Sequence, residues 1–162
     1  MAARSSGLWV ALAVLGVVSC SDPTEPVRSL APDGYRARYV EVRGCRSTLD
    51  HLSAASTGAA ASNIRVLIDP DAAAAYRANA AVLAAGTTVI KEEFTDPGCT
   101  QLSALTIMQK QAAGYDPAHG DWRWQRVRVS DQAVLEDGVV ARCWRCHDTA
   151  ACRARDWQCT EP

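Results

Sequence analysis

Residues 86–94, GTTVIKEEF, are the stretch on which the fold turns. After Gly86 the residues alternate in the period of an extended chain, with Thr87, Val89, Lys91 and Glu93 on one face and Thr88, Ile90, Glu92 and Phe94 on the other. TDPG, residues 95–98, then marks a turn. A further strand is expected from about Leu102 to Lys110, and a turn-rich segment, GYDPAHGD, leads into WRWQRVRV, whose aromatic and β-branched content again suits a strand. Upstream, NIRVLID (63–69) is short and β-branched and reads the same way. Between these strands, Asp69 suits a helix cap, Pro70 the first helical position and Asp71 the positive end of the dipole. AAAAYRANAAVLAA follows, with Gly86 as its left-handed stop. The expectation is a mainly β (α+β) fold, an antiparallel sheet with one main helix. YRARYVEV (35–42) is compatible with strand or helix, STGAAAS (56–62) reads as loop, and no internal repeat appears.

The chain has 162 residues, enough for one domain, and a formal charge of -1 with its basic residues dispersed. No basic stripe of the kind that binds nucleic acid is present. Residues 1–19 carry one positive charge at Arg4, an apolar run from Leu8 to Val18 and no acid, the layout of a secretory signal peptide. The run is short for a membrane span. It ends in VVSC, which resembles the lipobox of bacterial lipoproteins and makes Cys20 the expected lipidated residue; the alternative is a soluble secreted protein in which Cys20 is incidental. Ser21, where an Asp often retains lipoproteins in the inner membrane, favours the outer membrane. Residues 20–34 read as a lipidated cysteine and flexible tether, and residues 35–162 as the folded domain.

Export places the cysteines in an oxidising compartment. With Cys20 set aside and Cys143 and Cys146 assigned to the pentapeptide CWRCH (143–147), Cys45, Cys99, Cys152 and Cys159 remain, an even number. Of their three pairings, Cys152 with Cys159 closes a short loop at little entropic cost, and Cys45 with Cys99 staples the start of the domain to a central turn.

CWRCH has three chemical readings. A zinc site would need four ligands, and although Cys143, Cys146, His147 and Cys152 are available, a histidine directly after the second cysteine is poorly placed to close a tetrahedron. A redox dithiol belongs at a helix N-terminus in a parallel α/β pattern, which this chain lacks. The C-x-x-C-H spacing has a mechanical reason in c-type haem attachment. Two thiols add to the two vinyl groups of the porphyrin, and the following histidine is held beneath the iron as its axial ligand.

A motif of this kind near the C-terminus of a β-rich domain resembles the cytochrome P-460 family of periplasmic haem proteins. GTTVIKEEF, TIMQK, GYDPAHGDWRW, and CWRCH followed by RDW look like that family's successive blocks in order, over roughly Ile64 to Trp157. The resemblance implies one haem c per chain, thioethers at Cys143 and Cys146, and His147 as the proximal ligand. It further implies that Lys91, or less directly Lys110, is the candidate for the lysine cross-linked to the porphyrin in hydroxylamine-oxidising members. Protons released in such a reaction need a base, for which Glu92, Glu93 and Asp121 are candidates, while Arg65 would orient a ligand or propionate. A structural role competes for each of these, and for His51 and His119. Trp122, Trp124 and Trp144 suit the wall of a large apolar cofactor site or simply a core.

Two functions follow from the resemblance, oxidation of hydroxylamine or a related small nitrogen species and nitric oxide or gas binding without catalysis as in β-type cytochromes c-prime. A third, electron transfer, competes with them and requires Met108 as sixth ligand, where it otherwise reads as core. The expected partners are a small nitrogen-oxide substrate or ligand, an unidentified electron acceptor, the membrane through the lipid anchor only, and a second copy of the chain in a homodimer.

Overall fold

The computed structural model describes residues 27–47 and 63–159. The expected signal peptide, Cys20, residues 21–26 of the expected tether, His51 and STGAAAS lie outside the described residues. Six strands, β1 (Val40–Ser47), β2 (Asn63–Ile68), β3 (Thr88–Phe94), β4 (Leu102–Lys110), β5 (Trp122–Arg128) and β6 (Ala133–Gly138), form one antiparallel sheet in the order β1-β2-β3-β4-β5-β6. The architecture is thus mainly β, as GTTVIKEEF suggests. YRARYVEV divides into a 3-10 turn (Tyr35–Ala37) and the start of β1, and β6 has no counterpart in the sequence-based expectation.

Strand pairing sorts the side chains onto two faces. Val66, Lys91, Thr106, Arg126 and Glu136 are cross-strand partners in one row, flanked by the row of Ile68, Val89, Met108, Trp124 and Gly138. This face is covered by two short helices, α1 (Ala73–Arg77) and α2 (Ala141–His147), with their flanking segments and Trp157, which follows a third, α3 (Ala150–Arg153). Arg65, Glu92, Leu105 and Val127 belong to the opposite face, where residues 30–39 pack over Ile90, Leu105, Ile107 and Val127. A fully buried large apolar side chain contributes about 1.5–3 kcal/mol, so a sheet rich in Ile, Val and Trp on both faces is stable only when both are covered.

Three expectations need correction. The helix from Pro70 to Ala85 is only a 3-10 turn, Pro70–Ala72, followed by the five-residue α1. Asn79 adopts a left-handed φ of 54°, and the amides of Asn79 and Ala80 donate to the carbonyls of Tyr76 and Ala75, which closes the helix in the way a C-terminal glycine would. The chain then turns inward so that Leu83 is buried with its amide donating to Asp156 Oδ2 at 2.7 Å. Gly86, also at positive φ, instead donates its amide to the Lys110 carbonyl at the β3–β4 end.

Asp69 makes no side-chain cap; its carboxylate accepts from the Thr88 amide and ties β2 to β3. The longest described helix is α2, which carries CWRCH.

The expected tether ends earlier than Tyr35. The fully buried Gln125 side chain accepts from the Leu30 amide at 2.7 Å and donates to the Arg28 carbonyl at 2.9 Å, so residues 28–34 belong to the fold. A buried amide needs such partners, and this segment supplies two of them, with Asp137 Oδ1 accepting from the same Nε2 at 3.3 Å.

Disulfides join Cys45 to Cys99, with Cα atoms 5.9 Å apart, and Cys152 to Cys159, with Cα atoms 4.6 Å apart. No described helix is long and apolar enough to cross a membrane.

Candidate functional site

The seven residues of α2, ARCWRCH, follow the extended Val140, whose carbonyl accepts from the amides of Cys143 and Trp144. One helical turn separates Cys143 from Cys146 and His147, which places all three on neighbouring positions of one helix flank. Cys143 is buried in the core cluster of the helix-covered face, while Cys146 is exposed. These two are the free cysteines among the described residues. Burial, reinforced by the nearby Glu136 carboxylate, pushes the Cys143 thiol up to about 11. A redox dithiol needs a lowered thiol pKa, so this environment is wrong for that chemistry. Cys152, the fourth ligand of a zinc reading, is committed to its disulfide.

His147 lies with Nδ1 at 2.6 Å from the Trp157 carbonyl oxygen. A carbonyl only accepts, so Nδ1 carries the proton and Nε2 keeps its lone pair, the tautomer required of a histidine that ligates a metal through Nε2. Burial pushes the imidazole down to about 4, with the Lys91 charge acting in the same direction against the Trp157 contact, and the ring is neutral near pH 7. Its edge meets the Trp124 ring at a centroid distance of 4.7 Å.

The Trp157 carbonyl is itself held from several sides. Thr149 caps α3 by accepting the Cys152 amide, and the Cys152–Cys159 disulfide closes the segment that follows. Inside it Asp156 and Trp157 both take left-handed φ values, 54° and 67°. Asp156 accepts from Lys110 Nζ at 2.6 Å and, through its carbonyl, from Trp122 Nε1 at 2.9 Å. Gly120 lies so close to Trp157 that a Cβ there would fall 2.5 Å from Trp157 Cδ1.

Beneath α2, Lys91 Nζ pairs with Glu93 Oε1 at 3.0 Å, and the Thr106 hydroxyl donates to the same oxygen at 2.6 Å. Burial alone would raise the Glu93 carboxyl, but Lys91, Thr106 and Arg126 together hold it below the usual range. Arg126 Nη1 reaches Glu136 at 3.3 Å, and Arg142 Nε donates to the other Glu136 oxygen at 2.7 Å. Four buried side-chain polar atoms lack a hydrogen-bond partner among the described residues. Three of them, Glu93 Oε2, Trp124 Nε1 and Arg126 Nη2, lie on this one face; the fourth, Arg43 Nε, is on β1. Buried polar groups are normally paired, so three unpaired atoms on one face call for a partner that the described residues do not supply. These atoms, together with two free thiols and a neutral histidine of fixed tautomer, fit a covalently attached haem.

The other sequence candidates are distributed differently. Glu92, fully buried on the opposite face, accepts from Tyr35 Oη and Arg36 Nε at 2.5 Å each and from Arg65 Nε at 2.7 Å, so Arg65 and Glu92 serve each other and the N-terminal segment. Burial first, then the Glu92 carboxylate, raises the Tyr35 phenol. Asp121 accepts the amides of Gly114 and Asp116 and organises the loop before β5. Lys110 is consumed by Asp156 and the Gly120 carbonyl.

His119 accompanies the site at one remove. It stacks on Trp144 at 4.1 Å and contacts Asp116 at 2.8 Å, which joins the β4–β5 loop to α2. Met108 is buried beside Trp124 on the helix-covered face.

The reading of the sequence did not anticipate Thr106, Arg126, Glu136 or the Trp157 carbonyl. For Arg126 a signal existed, because the two-residue period that puts Trp124 on a face puts Arg126 on the same one. No protein-family model and no curated protein matches this chain.

Proposed function

We propose that this chain is a c-type haem protein of the cytochrome P-460 kind, exported and anchored through a lipid on Cys20, whose site oxidises hydroxylamine or a related small nitrogen species. The observation that carries the reading is the hydrogen bond from His147 Nδ1 to the Trp157 carbonyl, at the end of the C-x-x-C-H motif. Cys143 and Cys146 would hold the haem through thioethers and His147 through Nε2. Once bound, the haem supplies one-electron redox chemistry and a coordination position for a small ligand.

The remaining roles belong to the chain. Trp122, Trp124 and Trp157 are buried among apolar neighbours and keep water from the site. Glu93, which accepts the Thr106 hydroxyl, lies near the Arg126 charge and has Oε2 unpaired, accepts a proton that leaves the substrate as it is oxidised. Lys91 projects from the same face and is the candidate for the bond to the porphyrin.

A second reading, an electron carrier with Met108 as sixth ligand, draws on the position of Met108 beside Trp124 on that face. Gas binding without turnover differs from the main reading only in lacking the Lys91 bond.

The visible spectrum of the purified protein tests all three. Covalent haem that survives acid-acetone extraction, lost in the Cys143→Ala/Cys146→Ala variant, is the expected result; a wild-type protein without covalent haem ends the reading. Six-coordinate low-spin iron that changes in Met108→Leu would select the carrier. A red-shifted ferrous Soret band abolished by Lys91→Leu would select the enzyme.

A further inference from the structure

Trp124 Nε1 and Arg126 Nη2 are hydrogen-bond donors of residues two apart on β5 and on one face of the sheet, each buried and each without an acceptor among the described residues. Trp124 is 0% exposed and Arg126 5%, so water outside the protein satisfies neither. An indole N–H withdrawn from solvent ordinarily finds a partner, and a guanidinium does so more insistently because it is charged. The groups around them are Lys91, Arg126 and Arg142 against Glu93 and Glu136, three cations and two carboxylates. All but Glu93 lie close enough to act electrostatically on Cys143 as well, which places the cluster at the attachment helix. Its balance is one positive charge.

The geometry points to a binding site for a small planar oxyanion of single negative charge, a carboxylate or nitrite, whose oxygens accept from Trp124 Nε1 and Arg126 Nη2. A guanidinium suits such an anion because its planar N–H fork matches two oxygens held in a plane. Glu93 Oε2, the third unpaired atom, is an acceptor, and with Glu136 it repels a dianion. A surrounding balance of one positive charge therefore favours a monoanion over sulfate or hydrogen phosphate. Two sources share this chemistry: a carboxylate arm of the haem, and a free monoanion such as formate or nitrite. Only the first source rests on the cofactor reading above.

Calorimetric titration of the full-length protein with nitrite, formate and sulfate, together with its haem content, tests the assignment. With a free anion as the occupant, wild type binds nitrite and formate but not sulfate. Affinity then falls at least tenfold in Arg126→Leu and in Trp124→Phe, and several-fold in Arg126→Lys, which keeps the charge and loses the fork. With the haem carboxylate as the occupant, holoprotein binds neither anion, Cys143→Ala/Cys146→Ala binds formate in an Arg126-dependent way, and Arg126→Leu releases noncovalently reconstituted haem faster. A wild type without haem that still binds formate through Arg126 would sink the cofactor reading and leave this site standing.

The proposal is overturned if neither wild type nor the haem-free variant binds either anion, or if both anions bind the Arg126 and Trp124 variants as tightly as wild type. Far-ultraviolet circular dichroism of each variant verifies folding, and Arg126→Lys supplies the answer should Arg126→Leu fail to fold.

Discussion

His147 Nδ1 lies 2.6 Å from the carbonyl oxygen of Trp157, ten residues further along the chain, and that one contact decides which nitrogen of the ring carries a proton. Trp157 sits between the two cysteines of the smaller disulfide loop, with a left-handed backbone. The tautomer of the histidine is therefore set by a covalently closed turn.

Opening that loop should disturb the histidine more than its stability cost suggests. In the chain-entropy view a crosslink of separation 7 contributes about 2.5 kcal/mol and one of separation 54 about 4 kcal/mol. Denaturation of Cys152→Ser/Cys159→Ser and Cys45→Ser/Cys99→Ser should rank in that order. In the haem-free Cys143→Ala/Cys146→Ala background, the His147 ring-nitrogen NMR signals should show a mixed tautomer only in the first variant. Equal tautomer ratios in the two would remove the loop from its assigned role.

Two glycines at positive φ separate backbone strain from collision. Gly114→Ala meets nothing within 4 Å and should lose only about 1–2 kcal/mol for the left-handed backbone. Gly120→Ala adds a clash with the Trp157 ring and should lose a further 1–3 kcal/mol, roughly, by overpacking. Urea midpoints of the two variants measure the difference, and near-equal losses would show that the Trp157 ring moves freely.

Glu92→Gln should destabilise without touching the site. The substitution leaves Arg36 and Arg65 without their shared carboxylate, and breaking a buried pair in this way costs about 3–5 kcal/mol, less here because Arg36 is half exposed. A lowered melting temperature with an unchanged visible spectrum is expected. A changed spectrum would return Glu92 to the site.

Glu93 supplies a pH signature. Its folded carboxyl titrates below the ordinary value of 4.5, so the unfolded chain binds a proton first as pH falls. The stabilisation it brings is complete above 4.5 and is lost as pH drops through the lower folded value. Wild type minus Glu93→Gln, compared by denaturant midpoint from pH 7 to pH 3, should shrink over that acid window. A constant difference would mean that Glu93 is not held ionised by Lys91 and Thr106.

Local chemistry made much of the chain legible in advance. Alternation in GTTVIKEEF, LSALTIMQK and WRWQRVR is a property of neighbouring residues and specifies β3, β4 and β5 with little outside help. Cysteine arithmetic likewise anticipates the pairs Cys45–Cys99 and Cys152–Cys159. The helix misjudged at Ala78–Ala85 failed because helix propensity there is strong but weak in energy per residue. Asn79 and the burial of Leu83 against Asp156, a residue 73 positions away, outweighed it.

By itself, then, the sequence determined β2 to β5, the thiol pairs and the spacing of CWRCH, all carried by residues close together or by simple counting, while β1 stayed ambiguous and β6 went unread. Only the tertiary structure decided between Glu92 and Glu93. Adjacent on one strand, they point to opposite faces, and which face lies beneath α2 depends on how a C-terminal helix and an N-terminal segment share the two sides of the sheet. The His147 tautomer and the unpaired donors of Trp124 and Arg126 were decided there too, because a hydrogen bond is made or missed by atoms distant in the chain.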